Sequence, residues 1–168
     1  MEVRIFKLQS PKLQIEILNY GGVIKSIKTP DKNDNFENIV LEYEDINLYK
    51  SNSNYFGALI GRTSGRIYNG EFTLNNEKYT LVKNDNKHHL HGGTTGYNKV
   101  FWEVLDYTDD RILLSYTSKD GEEGYPGNLE IEVEYRIENE DELVVEYKAV
   151  TDKDTIVDLT QHAYFNLR

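Results

Sequence analysis

An all-β fold, a sandwich or a barrel, is predicted by three observations. Apolar residues alternate at period two along most of the chain, turn-forming residues interrupt them often, and the composition favours strands. The 168 residues include thirteen Tyr and one Trp but only three alanines, Ala58, Ala149 and Ala163. No window joins a helical i, i+3, i+4, i+7 stripe to a capping signal.

The elements follow in order. Leu13-x-Ile15-x-Ile17 has the one-face-buried alternation of a strand, and so does Ile39-x-Leu41-x-Tyr43. Phe72-x-Leu74 and Tyr79-x-Leu81 flank Asn75-Asn76-Glu77, which predicts a hairpin. Phe101–Leu105 and Ile112–Tyr116 are further strands. Leu129, Ile131, Val133, Tyr135 and Ile137 alternate with Glu130, Glu132, Glu134 and Glu138; after Asn139-Glu140-Asp141 the chain returns antiparallel through Leu143, Val145, Tyr147 and Ala149. Ile156–Leu159 closes the set. Pro30–Asn35 and Ser51–Asn54 are polar loops too short to be linkers, so residues 1–168 are expected to form one β-sandwich domain or part of one.

Composition narrows the function. The formal charge of −10 disfavours nucleic acid and anionic membrane as partners and leaves neutral or cationic ligands open. The acidity is uneven: residues 1–84 carry 11 Lys/Arg against 10 Asp/Glu, and residues 85–168 carry 8 against 19. The alternating glutamates of 130–138 fit a solvated sheet face, with calcium or a basic partner as the alternative. Zero cysteines exclude disulfides, thiol catalysis and cysteine–zinc sites. No apolar run approaches a membrane span and no apolar signal core opens the chain, so a cytoplasmic location is expected.

Chemistry-bearing residues are few. His88, His89 and His91 cluster ahead of Gly92-Gly93, and His162 lies far downstream among apolar and aromatic residues. In a strand, His89 and His91 would share a side, a two-ligand arrangement that a metal site would complete with His162 or a carboxylate; exposed loop histidines are the plainer reading. Arg62 and Arg66 stand in a glycine-punctuated stretch, Gly57–Ile67, that lacks the Lys-Ser/Thr ending of a phosphate loop. Asp120-Gly121-Glu122-Glu123-Gly124-Tyr125-Pro126-Gly127 reads as a tight acidic loop and nothing more. A histidine titrates near pH 6.5 and no nucleophile motif is present, so acid–base chemistry at His162 is favoured over covalent catalysis.

Seven blocks, taken in order, resemble the aldose 1-epimerase (galactose mutarotase) family. They are Asn19-Tyr20-Gly21-Gly22, Tyr55-Phe56-Gly57-Ala58, Ile60-Gly61-Arg62 with Gly65-Arg66-Ile67, Leu90-His91-Gly92-Gly93, Gly96–Trp102, Asp120–Gly127 and Leu159–Leu167. The resemblance implies the N-terminal portion of a large antiparallel β-sandwich. It implies interconversion of α and β anomers of free aldoses such as glucose and galactose, with no metal and no organic cofactor. Residue by residue it implies His162 as general acid, His91 as a catalytic and substrate-binding histidine at the ring oxygen, and Arg66 as a substrate-binding donor.

Three departures accompany it. Gly65 stands where the family has Asn, and Gln161 stands where it has Asn. The family chain is about twice as long, and its general-base glutamate and sugar-holding aspartate lie in the half without a counterpart here. The partner expected is therefore an aldose, together with either the missing C-terminal half or a second copy in a homodimer. The alternatives are a carbohydrate-binding fragment without turnover, stacking sugar on Trp102 and tyrosines beside Arg66, and a metal site of His89, His91 and His162.

Overall fold

The computed structural model describes residues 1–167, and nearly all regular structure in it is β. Two four-stranded antiparallel meanders dominate. The first holds β1 (Ile5–Gln9), β2 (Gln14–Leu18), β3 (Ile24–Pro30) and β4 (Phe36–Asn38) in chain order. Between them and the second meander come short pieces: β5 (Leu59–Ile60), β6 (Arg66–Ile67), β7 (Glu71–Leu74), β8 (Glu77–Thr80) and β9 (His89–Leu90). The second meander is β10 (Glu103–Tyr107), β11 (Arg111–Ser118), β12 (Leu129–Glu138) and β13 (Glu142–Thr151), and β14 (Thr160–Gln161) follows. The three short ribbons are β14 with β5, β6 with β9, and β7 with β8.

The meanders pack face to face over one apolar core. Leu8, Ile15, Ile17, Ile24 and Ile27 from the first meet Ile112, Leu114, Ile131, Val133 and Tyr135 from the second, with Trp102 and Tyr97 at one end. Period two explains this: each strand sends alternate side chains into the same layer. The opposite face of β12 is the acidic one, and it is solvated and neutralised locally. Glu134 faces Glu146 across the ladder, and Arg136 Nη1 bridges both carboxylates at 3.0 and 2.9 Å. Lys148 reaches Glu132 at 3.5 Å.

Several strand boundaries correct the sequence reading. Ile39–Tyr43 is not a strand. The strand lies earlier, at Phe36–Asn38, because the Asn38 side chain takes over the ladder: its Oδ1 accepts from Ile27 N at 3.1 Å and Val40 N at 3.3 Å. β10 starts at Glu103 because Phe101 and Trp102 are turned toward the first meander, with Trp102 N donating to Asn19 O at 2.7 Å. Ile156–Leu159 contributes only a bridge from Asp158 to Thr63, and pairing resumes at Thr160–Gln161. β1 and β3 had no counterpart among the expected strands. In β3 a bulge at Lys25 turns Ile24 and Ile27 to the same core and breaks the alternation. The hairpins follow the sequence closely. Glu77 pairs with Leu74, leaving the two-residue turn Asn75-Asn76 with φ of 51° and 63°, the signature of a type I′ hairpin.

Candidate active site

Three local structures bring distant residues together. The β6–β9 ribbon pairs Arg66 with Leu90, so His91 emerges one residue after a position fixed opposite Arg66. There His91 N donates to Gly65 O at 3.0 Å and the chain turns out of the ribbon with φ of 51°. Next, Gly92 takes φ of 85° and lies so close to the Gly61 carbonyl that a Cβ would collide with it. The β5–β14 ribbon delivers His162, whose N donates to Ala58 O at 2.8 Å while Gly57 N donates to its carbonyl at 3.0 Å. Gln161 is turned inward as the lock of this ribbon. Its amide donates to Gly57 O at 2.6 Å and Gly22 O at 2.9 Å, and its oxygen accepts from Tyr135 at 3.1 Å.

The outcome is a meeting of rings. The His91 and His162 imidazoles stand 5.2 Å apart at 88°. Tyr55 packs against both, at 4.9 Å from His91 and 5.8 Å from His162, and Tyr164 lies 5.0 Å from His162. Arg66 is open to solvent, its side chain 62% exposed, with Nε donating to Asp85 Oδ2 at 2.6 Å. Tyr55 is the member that motif reading left without a role. It stood in the matching Tyr55–Ala58 block, but a tyrosine in a chain of thirteen carries no local mark of its position.

The two histidines are chemically unequal. Burial, then the charges of His162 and Arg66, hold His91 below the ordinary histidine value, so it is neutral at pH 7. Its Nδ1 accepts from Gly65 N at 3.1 Å, which puts the proton on Nε2 and makes that atom a donor to an oxygen. Among the described residues, neither ring nitrogen of His162 has a protein hydrogen-bond partner, and the residue is half-buried. Tyr55 is pushed up, first by burial and then by the Asp85 charge, and stays protonated. The nearby carboxylates are engaged: Asp85 by Arg66, and Asp158 by Ser64 Oγ at 2.5 Å.

Other candidates separate from the site. His89, two residues before His91, is fully buried and faces the other way. Its Nδ1 donates to Val82 O at 2.6 Å, and its Nε2 accepts from Tyr125 Oη at 2.6 Å. Both nitrogens are thus committed, and the His89–His91–His162 metal arrangement is not assembled. His88 is half-buried and accepts from Asn69 N at 3.2 Å, so none of the clustered histidines is a freely exposed loop residue. Arg62 is 1% exposed and unlike Arg66 in every contact: it donates to Pro126 O, Gly127 O, Thr155 Oγ1 and Ser118 Oγ. Trp102 is buried, with Nε1 donating to Tyr97 O at 3.2 Å, so its face is not available for stacking on a sugar.

Known proteins resemble the chain in sequence and in fold. The family model described as Aldose 1-epimerase matches residues 4–168. The galactose mutarotase of Bos taurus is 39% identical over 165 residues, covering 98% of this chain and 48% of that protein. The aldose 1-epimerase of Haemophilus influenzae is 35% identical, covering 92% and 45%. Among solved structures, a GalM/aldose epimerase homologue from C. elegans superposes with a TM-score of 0.94 at 28% identity, covering 99% of this chain and 51% of that one. The chain thus spans about half the length of the curated relatives it matches.

Proposed function

The chain belongs to the aldose 1-epimerase family, and from that premise we propose that it forms the acid side of a site that interconverts the α and β anomers of free aldoses. The observation that carries this reading is the meeting of the His91 and His162 rings, 5.2 Å apart, beside an open Arg66. Anomer exchange needs a base to take the proton of the anomeric hydroxyl and an acid to protonate the ring oxygen as the ring bond breaks. Rotation about the first carbon–carbon bond and reclosure give the other anomer.

In this reading His162 is the general acid. Neutral His91 donates from Nε2 to the same region of the sugar, since its Nδ1 is occupied by Gly65 N–H. Arg66 donates to sugar hydroxyls from the guanidinium nitrogens that Asp85 leaves free. The general base, a glutamate in the family pattern, is assigned to polypeptide outside these residues; Asp85 and Asp158 already accept from Arg66 and Ser64. Such polypeptide has a place to pack. An apolar cleft of about 340 Å³ opens between the meanders, lined by Ile24, Ile27, Leu143, Val145 and Phe165.

A second reading, sugar binding without turnover, is favoured by the same engaged carboxylates. Polarimetry on freshly dissolved α-galactose separates the two, paired with NMR titration of the His91 and His162 rings. The proposal expects ring shifts on adding galactose, abolished in Arg66→Ala, and catalysed mutarotation that requires the polypeptide carrying the glutamate. Ring signals indifferent to saturating galactose would overturn both readings.

A further inference from the structure

We propose that the acidic loop Asp120–Gly127 is a clasp that positions His91, with Glu123 as its principal positioning residue. The loop touches both flanks of the His91 turn. On the far side the Glu123 carboxylate accepts from two backbone donors, Thr94 N at 3.0 Å and Thr95 N at 2.7 Å. The carboxylate occupies the space a Cβ on Gly93 would need, and Gly93 holds φ of 102°, a conformation that favours glycine. On the near side Tyr125 Oη donates to His89 Nε2 at 2.6 Å and accepts from Thr63 Oγ1 at 2.5 Å. The direction of this relay is fixed, because Val82 O can only accept and so holds the Nδ1 proton of His89.

His91 is therefore held between two anchors that share one loop. It requires them. A non-glycine residue at φ of 51°, followed by Gly92 at 85° and Gly93 at 102°, is a backbone that surrounding contacts must hold in place. The loop is itself stiff. Gly127 N donates to Asp120 Oδ1 at 2.5 Å, Gly121 N to Tyr125 O at 2.8 Å, and Tyr125 N to Glu122 O at 3.0 Å. Glu122 accepts from Tyr116 Oη at 2.7 Å and Ser118 Oγ at 2.8 Å, and buried Arg62 holds the Pro126 and Gly127 carbonyls at 2.8 and 3.1 Å. The consequence for His91 is the Gly65 N–H to Nδ1 bond, which selects the tautomer that donates from Nε2.

This inference rests on the proposed role of His91, but its test does not require sugar. Long-range ¹H–¹⁵N correlation of the His91 ring reports its tautomer directly, and the Gly65 amide shift reports the bond to Nδ1. Glu123→Ala is expected to mix the His91 tautomers and move the Gly65 amide, while the His162 ring signals and far-ultraviolet circular dichroism stay as in the native chain. Glu123→Gln keeps one acceptor and is expected to restore most of the native tautomer. It is also the variant to read if Glu123→Ala does not fold. Tyr125→Phe, which releases the His89 anchor, is expected to produce a smaller change of the same kind.

A native His91 tautomer and an unmoved Gly65 amide in a folded Glu123→Ala chain overturn the clasp, as does a lowered melting temperature with the His91 signals unchanged. Where galactose binds the native chain, Glu123→Ala should weaken it by about tenfold. If galactose does not bind at all, the sugar reading fails while the tautomer result still decides the clasp.

Discussion

The two meanders and the glycine-punctuated ribbons between them solve different problems with the same chain. In the regular meander strands, β12 above all, a residue's role follows from its parity: Ile131, Val133 and Tyr135 go in, and Glu130, Glu132 and Glu134 go out. In the ribbons parity fails within two residues, since His89 is a buried strut and His91 faces His162. The meanders hold their shape by burying apolar area; the β6–β9 ribbon and the His91 turn depend more on polar contacts made across long sequence separations. Stability is thus concentrated in one region and chemical geometry in the other.

Trp102→Ala gives the largest expected effect. It empties one end of the core and should cost about 3–5 kcal/mol in denaturant unfolding. A cost under 1 kcal/mol would show that the core does not hold the fold as described. Arg62→Met probes the boundary between the regions, because Arg62, on the link between β5 and β6, is a charged residue as buried as the core. Removing the guanidinium leaves Pro126 O, Gly127 O and Ser118 without their donor and should cost about 1–3 kcal/mol in all. If Arg62→Met were neutral, the contrast would lose its clearest exception.

Acid sharpens the comparison next. His89 and His91 are both held below the usual histidine value, in each case mainly by burial. The unfolded chain takes up protons at these positions near pH 6.5, and the folded chain does so only at lower pH. Their contribution to stability is therefore complete above about pH 6.5 and is lost as the pH falls through the folded values. Melting temperatures across pH 5 to 7.5 should show this decline, and His89→Gln should flatten it. An unchanged slope in His89→Gln would remove His89 from the account.

Arg66→Lys has the smallest expected effect on folding, within about 0.5 kcal/mol, because the side chain is exposed. It should still weaken any galactose-induced shift of the His91 and His162 rings, since lysine lacks the guanidinium fork. A large stability loss with binding intact would invert the contrast at this residue.

The same contrast explains what could be read without coordinates. The strands of β2, β11, β12 and β13 and the β7–β8 hairpin were visible because alternation and turn chemistry act within a few residues. β3 was hidden by the bulge at Lys25, and β4 was displaced by the Asn38 side chain; both are single residues that interrupt a period. His91, His162 and Arg66 were chosen through ordered motifs rather than local pattern, and the folded chain places them near one another. Tyr55 and Glu123 escaped because their contacts are with partners 28 or more residues away, His91 for one and Thr94 and Thr95 for the other. The inward turn of Gln161 likewise could not be inferred from a residue that differs from asparagine by one methylene.

Gly65 and Gly92 have opposite prospects under mutation. At Gly92 a side chain would run into the Gly61 carbonyl, so the position is closed to drift and any change there should be purged. At Gly65 nothing lies within 4 Å of where a Cβ would stand, and φ of 67° is one that asparagine tolerates. Gly65→Asn therefore fits without rebuilding its surroundings. One of these two glycines is fixed by its neighbours, and the other is set only by its own backbone angle.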